Sequence, residues 1–253
     1  MTTAPSAERP LRVLRASLTI ALIVTVATIF AACGSSGSVA GASSWEAATE
    51  RGTYGVGVTS YDLVDSSRPT AANRDFSGAD ERPLPIDVWY PSGAAGAEPE
   101  VRDAPLDGAD APYPLIIFAH GLSGTRRQSV SYVQHLASHG YVVAAPDFPL
   151  SRLGAPGGPR LGAVLEQPKD VSFVIDSLLE FNAQDGHLLE GAIDDEAIGV
   201  TGHSLGALTT MLTTFGPSRD ERIDAALPIS TPACFLPASL AGDTSVPIMV
   251  VGG

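Results

Sequence analysis

Gly202-His203-Ser204-Leu205-Gly206 is the segment of this chain best suited to covalent chemistry. A G-x-S-x-G pattern alone is a weak signal, because small residues fall at such spacing by chance. Its neighbours strengthen it. Ala197–Thr201 reads as a buried strand and Leu205–Phe215 as a helix, so Ser204 falls on the strand-to-helix turn that a nucleophile elbow requires. Gly202 and Gly206 have no side chains to clash as that turn tightens. The turn would lift the Ser204 hydroxyl above the sheet, beside a helix N-terminus whose dipole favours developing negative charge. The competing reading is a serine that merely caps a helix.

His120-Gly121-Leu122-Ser123-Gly124 follows an apolar run ending at Ala119. A turn there can point a backbone N–H at the same oxyanion as the Leu205 N–H. A general base is harder to find, since all five histidines precede Ser204. His203 adjoins the serine and should diverge from it. His120 reads as a brace for the loop it opens, His135 and His139 as members of a helix, and His187 as a solvated residue of the polar loop 185–195. Among acids, Asp147 follows a strand end but reads as ordering its own loop, and Asp243 precedes a final strand at the wrong edge of the sheet. Two cysteines cannot form a four-thiolate zinc site or a disulfide framework. Cys234 reads as a small buried residue.

These groups need a scaffold, and the hydrophobic pattern supplies one. Tyr54–Val64 and Leu84–Tyr90 read as an opening pair of strands joined by the polar loop 65–82, and residues 93–112 as a solvated loop. Pro114–Phe118, Tyr141–Ala145 and Ala197–Thr201 are short continuous apolar runs, the mark of strands buried on both faces. Ile223–Ile229 and Pro247–Val251 add two more. Gln128–Ser138, Val171–Asn182 and Leu205–Phe215 have helical spacing. Strands alternating with helical crossovers predict an α/β fold with a doubly wound, mostly parallel sheet. A length of 253 residues fits one large domain, placed at residues 52–253, and 44% hydrophobic residues suffice for a core. The net charge of −13 argues against nucleic acid as a partner, which needs clustered cations.

The start of the chain reads as an address. Arg9, Arg12 and Arg15 precede the uncharged stretch Ala16–Ala32, so residues 1–32 have the order of a signal peptide. Its end, Phe30-Ala-Ala-Cys33-Gly34, resembles the bacterial lipoprotein box. The resemblance implies that Cys33 is diacylated and becomes the mature N-terminus, with residues 33–51 as lipidated start and flexible tether. An ordinary secretory signal or an uncleaved anchor are the alternatives. Losing residues 1–32 removes three arginines and one glutamate, taking the charge from −13 to −15. Anionic headgroups would repel such a surface, so acyl chains rather than a basic patch should hold it. The expected location is the outer face of a bacterial cell membrane.

A further resemblance spans residues 52 to 253. Leu84-Pro-Ile-Asp-Val-Trp-Tyr-Pro91, Ala119-His-Gly-Leu122, Leu136–Ala145 and Gly202–Gly206 together look like the platelet-activating-factor acetylhydrolase and dienelactone-hydrolase-like branch of the α/β-hydrolases. The resemblance implies Ser204 as nucleophile, the amides of Leu122 and Leu205 as oxyanion hole, and hydrolysis of carboxylic esters, short-chain or lipid, without metal or cofactor. Phe148–Gln167 is expected to border the acyl pocket. That branch places its acid just after the strand matching Pro247–Val251 and its histidine later still. The chain stops at Gly252-Gly253, which reads as a fragment lacking the C-terminal strand and helix and the triad acid and histidine, hence inactive or severely impaired. The alternative is a catalytically defective, hydrolase-like lipoprotein acting as a binding module.

Overall fold

Short runs of Val, Ile, Leu and Ala build a mixed sheet through the middle of the domain. A computed structural model describes residues 49–93, 99–232 and 246–252. The signal segment, Cys33, Cys234 and Asp243 lie outside these described residues. The strands are β1 (Gly55–Asp65), β2 (Arg82–Ser92), β3 (Val101–Arg102), β4 (Tyr113–Ala119), β5 (Val142–Pro146), β6 (Ile193–His203) and β7 (Ile223–Ile229). Among the described residues, helices α1 (Val130–Ser138), α2 (Gln167–Ala183) and α3 (Leu205–Phe215) follow β4, β5 and β6. The order across the sheet is β3-β1-β2-β5-β4-β6-β7. β1 and β2 pair antiparallel from Gly55↔Ser92 to Asp65↔Arg82, and β2 joins β5 antiparallel. From β5 through β4 and β6 to β7 the pairing is parallel. This is the mostly parallel α/β architecture that the alternation of apolar runs predicts.

Period-two alternation divides the core between the two sheet faces. In β4, Leu115 and Ile117 join Val171, Val174 and Leu178 of α2, while Phe118 joins Val133 and Ala137 of α1. Pro247–Val251 runs beside β7 in parallel, with the Met249 N–H donating to Ala226 O (3.1 Å) and the Val251 N–H to Pro228 O (3.1 Å). It pairs at Ile248 and Val251 rather than as a continuous ladder.

Several expectations are corrected. The segment 93–112 is not simply a solvated loop, since it contains β3 beside β1. Its later part is pinned by Tyr90 Oη donating to Ala104 O (2.8 Å) and Tyr113 Oη to Asp107 O (2.7 Å). α1 begins at Val130 rather than Gln128. α2 starts a turn earlier than Val171, with Pro168 in the first turn, where a missing N–H leaves no helical bond unmade. His187 is only partly solvated: its ring stacks on Phe181 (4.4 Å, 17°) and lies 5.5 Å from Tyr61.

A buried charge cluster fastens α2 to the opening strands. The Asp170 side chain, with no solvent exposure, accepts Nε and Nη2 of Arg82 at 2.6 Å each and Nη2 of Arg68 at 2.9 Å. Arg68 also bonds Asp65 at the end of β1 (2.6 Å). Burial pushes the Asp170 carboxyl pKa up, and the two guanidiniums oppose that shift. Truncation would leave Arg82 buried without its counter-ion. Asp170→Ala should therefore destabilise the domain by about 3–5 kcal/mol in urea titrations. A loss below about 1 kcal/mol, the scale of an exposed pair, would contradict the clamp.

Candidate active site

Ser204 joins β6 directly to α3 and has φ 55° and ψ −113°, a conformation rarely adopted by a residue with a side chain. Such backbone costs on the order of 1–3 kcal/mol and persists only where its surroundings impose it. Here they do. The Ser204 N–H donates to Ile229 O at the end of β7 (2.9 Å), and Ser204 O accepts from Ala207 (3.0 Å) and Leu208 (3.3 Å). The flanking glycines have no spare room. A Cβ on Gly206 would overlap the Ala119 carbonyl, and one on Gly202 would overlap the Gly206 carbonyl.

The loop after β4 faces this turn. A Cβ added to Gly121 would lie 3.4 Å from Ser204 Cβ. Among the described residues, the N–H groups of Leu122 and Leu205 donate to no protein acceptor. Two amides without acceptors beside a hydroxyl are what an oxyanion site needs. The geometry thus brings together Gly202, Ser204, Leu205 and Gly206 with the loop that carries Leu122.

His120 holds the base of that loop. Its ring is buried, and Nε2 accepts the Phe148 N–H (3.1 Å). The ring proton must therefore sit on Nδ1, which donates to Gly121 O (2.7 Å). Burial holds its pKa below the ordinary histidine value, so the ring is a neutral brace. Asp147 orders the next turn by accepting the Arg126 N–H (2.6 Å) and pairing with its guanidinium (3.2 Å). Arg127 bridges Asp87 (2.9 Å) and Glu100 (2.5 Å) over the face of Trp89.

Phe148–Gln167, expected to border an acyl pocket, forms a clamp. Ser151 O accepts the Ser123 N–H (2.8 Å), and Gly124 O accepts the Leu153 N–H (2.8 Å). Ser151 Oγ accepts Gln167 Nε2 (2.8 Å), while Gln167 Oε1 accepts Thr209 Oγ1 of α3. The loop after β4 and the helix behind Ser204 are thereby connected through fully buried side chains. Sequence reasoning missed Ser151, Gln167 and Thr209. The available signal was Gln167-Pro168, a polar residue and a proline opening an apolar helical pattern. Val164 of the 3₁₀ turn Leu161–Leu165 packs on Leu205 and Leu208, leaving Leu161 and Leu165 exposed, as are Leu122 and Leu153.

None of the five histidines hydrogen-bonds Ser204 Oγ. His203 turns its Nδ1 to Gln128 Nε2 (3.0 Å), and His135 and His139 contact each other with ring centroids 4.4 Å apart. Among the described residues, no three His, Cys, Asp or Glu side chains gather as a metal-binding set. An apolar cleft of about 450 Å³ lies between Tyr132 and Leu136 of α1 and Met249, and Ser204 is not part of its lining.

Residues 93–149 match the family described as platelet-activating factor acetylhydrolase, isoform II. The solved ferulic acid esterase from Streptomyces cinnamoneus is similar in fold, with a TM-score of 0.61 and 24% identity over 79% of this chain. The aligned region spans 65% of that esterase's own length. No curated protein matches the chain. The likeness shows a shared α/β fold, in which Ser204 lies at the turn from β6 to α3.

The buried neutral His120 has a consequence for acid stability. An unfolded histidine titrates near ~6.5, and the folded ring titrates lower, so the unfolded state binds more protons as pH falls. The stabilisation is complete above about pH 6.5 and is lost as pH falls through the folded value. Urea titrations should show unfolding free energy dropping more steeply below about pH 6.5 in wild type than in His120→Asn. Parallel pH profiles would contradict the brace.

Proposed function

We propose that this chain is an exported serine hydrolase acting on carboxylic esters through an acyl-enzyme on Ser204. The observation that carries the reading is the strained Ser204 turn set against two backbone N–H groups that have no acceptor among the described residues. Ser204 Oγ attacks the ester carbonyl carbon, and the amides of Leu122 and Leu205 take up the charge on the oxygen. The intermediate collapses by expelling the alcohol, and water then cleaves the acyl-serine ester. The exposed leucines at positions 122, 153, 161 and 165 favour an apolar acyl or alcohol group, of a short-chain or lipid ester. The similar proteins carry the names acetylhydrolase and esterase, which supports a carboxylic ester as the electrophile.

The base sets the rate. Every histidine of the chain is engaged away from Ser204 Oγ or simply not bonded to it, so residues 1–253 alone should be a poor catalyst. Backbone stabilisation of the oxyanion and substrate binding still give a residual acceleration of about 10³ over water. The same observation favours the second reading, a lipid-anchored module that binds an ester-like ligand without turnover.

A fluorophosphonate separates the two. It should label wild-type protein at Ser204, shown by peptide mass spectrometry, and leave Ser204→Ala unlabelled with its fold intact by circular dichroism. Absence of label on folded wild-type protein would favour the binding module.

Anchoring is the other half of the proposal. Arg9, Arg12, Arg15, the uncharged run and Phe30-Ala-Ala-Cys33 support acylation of Cys33, and the acidic charge of the mature chain favours acyl chains over a basic patch as the means of holding an anionic membrane. Cys33→Ser expressed in a bacterial host should leave the membrane fraction or accumulate as unprocessed precursor. A variant that is acylated and fractionates like wild type would refute the assignment.

A further inference from the structure

The loop that carries Leu122 and the elbow that carries Ser204 belong to different strands, β4 and β6, yet one side-chain amide touches both. Gln128 Oε1 accepts the Gly121 N–H at 2.8 Å, and Gln128 Nε2 lies 3.0 Å from His203 Nδ1. The direction of both bonds follows from chemistry. A backbone N–H can only donate, so the amide oxygen must face Gly121 and the NH₂ must face His203. His203 Nδ1 then accepts, and a neutral ring carries its proton on Nε2.

The loop is also wrapped around this amide. A Cβ on Gly124 would overlap Gln128 Oε1, and a Cβ on Gly121 would lie 3.5 Å from it. The Gln128 backbone is fixed in turn by its N–H to Thr125 O (2.9 Å), two residues before α1 begins. We infer that Gln128 is a positioning residue of the oxyanion site: its amide sets the Leu122 N–H relative to Ser204 by tying Gly121 to His203. The inference rests on the serine-hydrolase reading above. It adds a specific part to it, because neither Gln128 nor the His203 ring contacts the reacting atoms. His203, adjacent to the nucleophile, acts here as an anchor for the loop rather than as a base.

Phosphonylation of Ser204 reads this geometry directly. As Oγ bonds phosphorus, fluoride leaves, the hydroxyl proton passes to water, and negative charge builds on the phosphoryl oxygen in the oxyanion site. Rates of labelling by an alkyl fluorophosphonate, followed by intact mass on the full chain, give kinact and KI separately. Gln128→Met keeps the length and bulk of the side chain but deletes both polar atoms. It should lower kinact about tenfold with KI within about twofold, less than the 10²–10³ typical when an oxyanion donor is removed outright. His203→Leu deletes only the far anchor and should lower kinact by a smaller factor. The double variant should be no slower than Gln128→Met alone, since both changes cut one link.

Circular dichroism on each variant separates lost positioning from lost folding. Unchanged kinact in folded Gln128→Met, with wild type labelled at Ser204, would overturn the role of Gln128 and leave the hydrolase reading standing. Multiplying losses in the double variant would overturn the link through His203. Wild type that is folded yet unlabelled would overturn the hydrolase reading and this inference with it.

Discussion

Ala119, Gly202 and Gly206 meet where β4 and β6 end, and the backbone there leaves no space for a side chain. That contact brings the start of α3 against the carbonyls of Ala119 and His120. The link between strand and helix must then turn within a single residue, and Ser204 takes the strained φ of 55°. The strain is local and the packing that imposes it is not. Ile229 O at the end of β7 holds the Ser204 N–H, so three neighbouring parallel strands fix the turn together.

Around this contact the polar groups form a frame rather than a catalytic relay. Each supports the loop after β4 from a different side. His120 holds its base as a neutral ring, and Asp147 and Arg126 hold the turn that follows. Ser151, Gln167 and Thr209 connect the loop to α3 through buried hydrogen bonds. An oxyanion site works because its donors are already in place when charge develops, so the proposed function requires this rigidity. The buried Asp170–Arg82 pair extends the same logic outward, fixing the start of α2, which carries Gln167.

Features with a fixed local spacing were legible in the sequence. Strands β4 and β5 are short apolar runs, β6 contains the run expected at Ala197–Thr201 behind a polar, partly exposed start, and α3 begins and ends as its pattern predicts. The elbow reads from glycines at set offsets around one serine, because only a side-chain-free backbone passes that close. What escaped was mostly long-range polar contact. Gln128 lies just before an apolar pattern through Val130, Val133 and Leu136 and was expected to begin that helix, whereas its amide serves Gly121. Asp170 and Arg82 are 88 residues apart, and no periodicity connects them. The polar composition around His187 hid a ring that packs on Tyr61 of β1 and Phe181 of α2. β3 spans two residues, too short to leave a pattern.

The proposed oxyanion site requires Ser204 Oγ and the amides of Leu122 and Leu205 to converge on one oxygen-sized position. A crystal structure of the phosphonylated protein tests it most directly. Phosphorus should be bonded to Ser204 Oγ, with one phosphoryl oxygen about 2.7–3.1 Å from both backbone nitrogens. A phosphonyl group on Ser204 whose oxygens point to solvent, or accept from other donors, would contradict it.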